Sequence, residues 1–138
     1  MRDVMNELVT DASALVYALT LETAAAAELR ARLEKTDCHA PHLVDAEFGQ
    51  ALRRHERLGQ IDPDRALSAL RTGRLLVQNR YPHDGLFGEL AWSLRKNLSF
   101  YDALYVALAA ALQVPLLTAD VRLAGTPGLP CEVDLIKE

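Results

Sequence analysis

Residues Ser99 to Leu112 read SFYDALYVALAAAL, and after Asp102 every residue of the stretch is apolar or aromatic. Tyr105 carries its one hydroxyl beyond that point. A helix that is apolar on every face must be packed on every face. The run is too short to span a bilayer, which takes about 20 apolar residues. It therefore predicts the central helix of a soluble domain. Ser99 is the candidate N-cap, and Asp102 in the first turn suits the helix dipole and can bond back to the cap.

The flanking chain supplies what such a helix packs against. Leu8 to Thr10 is a short apolar run ending on Asp11, and ASALVYALT after it has helical character. Leu21 to Lys35 is rich in Ala, Leu, Glu and Arg, which predicts a helix. Asp37 to Ala40 reads as a second strand stopped by Pro41, with a helix following from His42 to Leu58 and ending at Gly59. Pro63 opens a helix to about Arg74, and Leu75 to Val77 reads as a third strand. Gly85 to Asn97 is an amphipathic helix. Val114 to Thr118 is a fourth strand, Asp120 opens the short helix DVRLAG, and Cys131 to Ile136 is an edge strand. Met1 to Glu7 is a polar lead-in without the apolar segment of a signal peptide.

Short buried strands alternating with helices predict an α/β fold. Its sheet is mainly parallel, with about four or five strands and helices on both faces. With 138 residues and no repeat or linker, residues 1–138 form a single domain. Cys38 and Cys131 are too few and too far apart for a disulfide framework or zinc knuckle, and read as reduced, buried and cytoplasmic. The net charge of −4 gives no global pull toward nucleic acid or anionic lipid, and any such contact must be local.

In parallel sheets ligands bind beyond the carboxyl ends of the strands. Asp11 follows the first strand, Asp120 lies two residues past the fourth, and Asp102 starts the helix feeding that strand. Each alone also reads as an ordinary helix-start residue. Glu47 is different. At about 100° per residue it projects within the apolar face of Leu43, Val44, Phe48, Ala51 and Leu52. An inward carboxylate needs a partner, either Arg54 on the same side or a cation.

Four carboxylates at one rim cannot all stay ionised without positive charge, and a hard divalent ion with oxygen ligands, such as Mg²⁺, supplies it. Ser13 and Thr118 are supporting hydroxyls beside the acids, and both are also ordinary turn and strand-end residues. His39, His42, His55 and His83 are scattered and form no zinc set. Arg53, Arg54 and Arg57 make one basic edge, and Arg95 with Lys96 another, for phosphate contact or as plain solvated faces.

The segments VTDASALVYAL, PHLVDAEFGQALRR, LSFYDALYVALAAAL and PLLTADVRLA, in this order and nearly end to end, resemble the PIN-domain family, in particular the VapC-type ribonuclease toxins of toxin–antitoxin pairs. The resemblance implies a PIN-like domain, a metal site of Asp11, Glu47, Asp102 and Asp120 lined by Ser13 and Thr118, and Mg²⁺ or Mn²⁺ dependence. It also implies cleavage of single-stranded RNA, a homodimer and a small antitoxin partner; no membrane is expected, since nothing in the sequence reads as a transmembrane span. Where some relatives carry a further acid or Asn after the last Asp, this chain has Val121, Arg122 and Leu123, so no fifth ligand is assigned.

The chemistry expected is metal-assisted phosphodiester hydrolysis, with Asp11 and Asp102 as first-choice direct ligands. Glu47 and Asp120 then complete the site or orient the attacking water. Arg53, Arg54 and Arg95 are candidate RNA contacts. Two other readings stand beside it: a catalytically silent PIN module that only binds partners, and a receiver-like signalling domain. The second lacks adjacent acids after the first strand and any acid in Leu75 to Asn79. The helices in Leu21 to Lys35 and Gly85 to Asn97 offer apolar stripes to a partner helix, Leu86, Phe87, Leu90 and Trp92 among them, although packing into the chain's own core is the expected fate of most of these side chains.

Overall fold

Residues 6–137 are described by the structure, a computed structural model, and within them seven helices alternate with five strands. The order is β1 (Glu7–Thr10), α1 (Ala12–Thr20), α2 (Ala24–Glu34), β2 (Asp37–Pro41), α3 (Leu43–Arg57) and α4 (Pro63–Leu76). Then come β3 (Asn79–Tyr81), α5 (Gly85–Trp92), α6 (Phe100–Leu112), β4 (Leu116–Thr118), α7 (Val121–Ala124) and β5 (Val133–Leu135). The strands form one parallel sheet in the order β3-β2-β1-β4-β5. Register is fixed by pairs such as Leu8 with Cys38, Val9 with Leu116 and Leu117 with Asp134.

The three inner strands carry buried apolar residues because helices cover both faces of a parallel sheet. Leu8, Val9, Cys38, Ala40, Leu116 and Leu117 are all buried. From β1 the chain steps through β2 to β3 on one side, then returns past β1 to place β4 and β5 on the other. Right-handed crossovers put the helices of these two excursions on opposite faces. Accordingly α1 packs on α2, α3 and α4, while α5 packs on α6. The direction reverses between β1 and β4, so the crevice at their carboxyl ends is the natural ligand site.

Several elements depart from the sequence expectation. Leu75 to Val77 is not a strand: Leu75 and Leu76 form the last turn of α4, with Leu76 buried and Leu75 exposed. The third strand is the polar NRY, an edge strand that uses its side chains for hydrogen bonds. Asn79 Nδ2 donates to Asp37 Oδ1 at 2.9 Å, and the Tyr81 hydroxyl meets His39 Nδ1 at 2.8 Å. β2 runs one residue past Ala40 and takes in Pro41 as its last residue, paired with Tyr81. Glu7 belongs to β1 rather than to the lead-in, whose residues 1–5 lie outside the described residues. The helix from Gly85 closes at Trp92, and turns continue to Asn97.

Burial departs from expectation in three places. Cys131 is only half-buried, whereas Cys38 is fully buried; both are free. The α6 helix is enclosed from Ala103 to Ala109, but Ala111 in its last turn is exposed. In α5, Leu86, Leu90 and Trp92 point outward rather than into the core, and Ala91 is the buried residue.

Candidate active site

Asp11 leaves β1 at the reversal point and caps α1. Its Oδ1 accepts the Ala14 N–H at 3.0 Å and the Ser13 hydroxyl at 2.7 Å, and its Oδ2 accepts the Thr118 hydroxyl at 2.5 Å. The two hydroxyls also accept: Ser13 Oγ takes the Ala119 N–H at 2.9 Å and Thr118 Oγ1 takes the Asp120 N–H at 3.0 Å. Thus Ser13 and Thr118 clamp the loop after β4 onto the carboxylate after β1. A carboxylate has about four lone-pair sites, so three are used by the protein and one on Oδ2 is left for a ligand.

Glu47 sits on α3 among buried Val44, Phe48 and Leu52, and is itself half-buried. It makes no ion pair with Arg54 among the described residues. The buried Tyr105 of α6 donates its hydroxyl to Glu47 Oε1 at 2.5 Å. Asp102, one turn earlier on α6, donates its N–H to Ser99 Oγ at 3.1 Å, so the N-cap is Ser99. The Asp102 carboxylate does not bond back to the cap but accepts from Arg122 Nη2 at 2.8 Å. Asp120 caps α7, accepting the Arg122 and Leu123 N–H groups at 2.9 and 3.2 Å, and its Oδ2 meets the same Arg122 Nη2 at 3.2 Å.

The acids influence one another. Burial pushes the Asp11 carboxyl above its ordinary range against its three hydrogen bonds, and the charge of Asp120 adds to the rise. Burial also raises Glu47, and the charges of Asp102 and Asp11 raise it further, while the Tyr105 hydrogen bond opposes them. Tyr105 is raised in turn, by burial and then by Glu47. The hydrogen bond to Asp102 is the main cause of the upward shift of Arg122. A set of oxygen donors short of positive charge, with its most enclosed members displaced upward, suits a hard divalent cation.

A different group of donors closes the amino end of the sheet. Ligand atoms of Glu7, Asp37 and His39 lie within 4.8 Å of one another, the one such trio found among the described residues. The four acids of the rim therefore stand wider apart, with Arg122 between two of them. In the trio, His39 Nε2 is 2.9 Å from Glu7 Oε1 and its other nitrogen is held by Tyr81, which ties β1, β2 and β3 together. Of the basic residues, Arg53 and Arg54 are exposed, and Arg95 lies over the Trp92 ring at 4.6 Å. Sequence reading missed Arg122 as a partner and Tyr105 as the group that holds Glu47. Tyr105 left a signal as the one hydroxyl in the apolar run that follows Asp102. Arg122 left none, because its contact with Asp102 is tertiary.

The PIN domain family matches residues 8–129 of the chain. Ribonuclease VapC1 of Mycobacterium tuberculosis is 52% identical over 133 residues, covering 96% of this chain and all of that protein. Among solved structures, PAE2754 from Pyrobaculum aerophilum superposes with a TM-score of 0.67 at 30% identity, covering 92% of this chain and 90% of that one. VapBC2 from Rickettsia felis, solved bound to a DNA fragment from its promoter, has a TM-score of 0.66 at 14% identity, covers 95% of this chain and 99% of that one, and shares the fold. With Asp11, Glu47, Asp102 and Asp120 all inside the matched region, the chain belongs to the PIN-domain family, among the VapC ribonucleases.

Proposed function

We propose that this chain is a metal-dependent endoribonuclease that hydrolyses phosphodiester bonds in single-stranded RNA, as the toxin of a type II toxin–antitoxin pair. One observation carries the reading. Asp11, Glu47, Asp102 and Asp120 stand around the sheet reversal, with Asp102 and Asp120 bridged by one arginine, in a chain 52% identical to a protein named as a ribonuclease. Asp11 and Asp102 would hold Mg²⁺ or Mn²⁺ directly, with Asp120 and Glu47 completing the site. When bound, such an ion supplies the positive charge that a phosphodiester needs as negative charge grows on its oxygens.

The protein's own groups do the rest. Ser13 and Thr118 keep the Asp11 carboxylate in one orientation. Glu47, held by Tyr105 and with its proton affinity raised, is suited to accept a proton from the attacking water. Exposed Arg53, Arg54 and Arg95 supply cations for the RNA backbone.

The partner is an antitoxin protein, a reading that rests on membership among the VapC ribonucleases. The outward-facing Leu86, Leu90 and Trp92 of α5 supply apolar surface for a partner helix. The working form is a homodimer in the cytoplasm, a reading that rests on the family. Among the described residues no helix is long and apolar enough to cross a membrane.

The test is to incubate the pure protein with defined single-stranded RNAs, with Mg²⁺, Mn²⁺ or a chelator, and map the cut ends. Cleavage that needs the metal and vanishes in Asp102→Asn supports the reading. Absence of cleavage under every condition, with antitoxin binding intact, would leave the silent binding module.

A further inference from the structure

Among the described residues, Arg122 is the one cation paired with acids of the rim. Its Nη2 contacts Asp102 at 2.8 Å and Asp120 at 3.2 Å, so a single nitrogen bridges two carboxylates from different elements. Nε and Nη1 have no protein partner among the described residues. The Arg122 side chain is 69% exposed, against 20% and 32% for the two carboxylates. Ion pairs with so exposed a partner add little to stability, and the short α7 that carries Arg122 does not bury its head group. The bridge is therefore easily exchanged, and the open donors of a planar guanidinium match a phosphate.

We propose that Arg122 is a positioning residue that stands in for the divalent ion between Asp102 and Asp120 and, once that ion takes over both carboxylates, turns its guanidinium to the RNA phosphate. This rests on the nuclease reading above and goes beyond it. Two like-signed claims on the same acids cannot be satisfied together: the arginine competes with the metal but helps the substrate. Removing it therefore moves two measurements in opposite directions, which a merely structural side chain does not do.

The experiment measures Mn²⁺ affinity by titration calorimetry and KM for a single-stranded RNA in the wild type, Arg122→Gln, Arg122→Lys and Asp102→Asn. Arg122→Gln is expected to bind Mn²⁺ on the order of three- to tenfold more tightly, while its KM for RNA rises. Arg122→Lys, which keeps the charge, returns both toward the wild type. Unchanged Mn²⁺ affinity in Arg122→Gln, or weaker binding, overturns the role of Arg122 even when Asp102→Asn loses the Mn²⁺ heat and so upholds the metal site. Mn²⁺ heat that persists in Asp102→Asn, or none in the wild type, overturns the metal site and this inference with it.

Discussion

Tyr105 donates its hydroxyl to Glu47 across 2.5 Å, joining the buried stretch of α6 to the inward face of α3. The bond stabilises the charged carboxylate, while burial and the charges of Asp102 and Asp11 oppose it. Tyr105→Phe removes the opposing influence, so the Glu47 pKa climbs further. The acid limb of the pH–rate profile is expected to move up by about one pH unit, with a loss of ~1 kcal/mol in stability. An unmoved limb would mean that Glu47 does not govern the rate.

Asp11 and Glu47 start from ordinary values of 3.8 and 4.5, and both are raised on folding. A carboxyl raised in this way holds its proton more tightly in the native state. Its contribution to stability is full below the ordinary values and is lost as pH climbs through the raised ones. Without metal, Asp11→Asn is therefore expected to gain on the wild type as pH rises from about 4 into the neutral range. Mn²⁺ reverses the order by binding only the wild-type site well. Denaturant titrations of both proteins, in chelator and in Mn²⁺, check this; a difference that stays flat with pH contradicts it.

Thr118 is completely buried, and its hydroxyl serves Asp11 and the Asp120 N–H at once. Thr118→Val keeps the shape and removes both bonds. The expected cost is about 1–3 kcal/mol, read as a lowered melting temperature. The catalytic cost is roughly 10–100-fold, because Asp11 loses a donor that fixes it. Thr118→Ser keeps the hydroxyl and should retain most activity. Equal damage from both substitutions would point to packing rather than to the hydrogen bonds.

The sequence carried those features that depend on local pattern. Asp11 and Asp120 stand where strands give way to helices, and the phase of α3 turns Glu47 inward. The inner strands were readable because burial on both faces fills them with residues such as Leu8, Val9, Cys38, Ala40, Leu116 and Leu117. The edge strand β3 was not, since Asn79 and Tyr81 serve polar contacts to β2 and the nearby apolar run belongs to α4. Arg122 was equally hidden: its meeting with Asp102 depends on how α7 and α6 come together, which no spacing along the chain encodes. The outward turn of Trp92 and Leu86 was likewise invisible, because an amphipathic pattern does not say which neighbour covers it.

The central claim is that the rim acids, and no other donors of the chain, hold the catalytic cation. Anomalous X-ray scattering from a crystal soaked in Mn²⁺ tests it most directly. The predicted result is a peak at the carboxyl ends of β1 and β4, about 2.0–2.3 Å from oxygens of Asp11 and Asp102. A peak confined to Glu7, Asp37 and His39 at the other end of the sheet, or none on the rim, would contradict it.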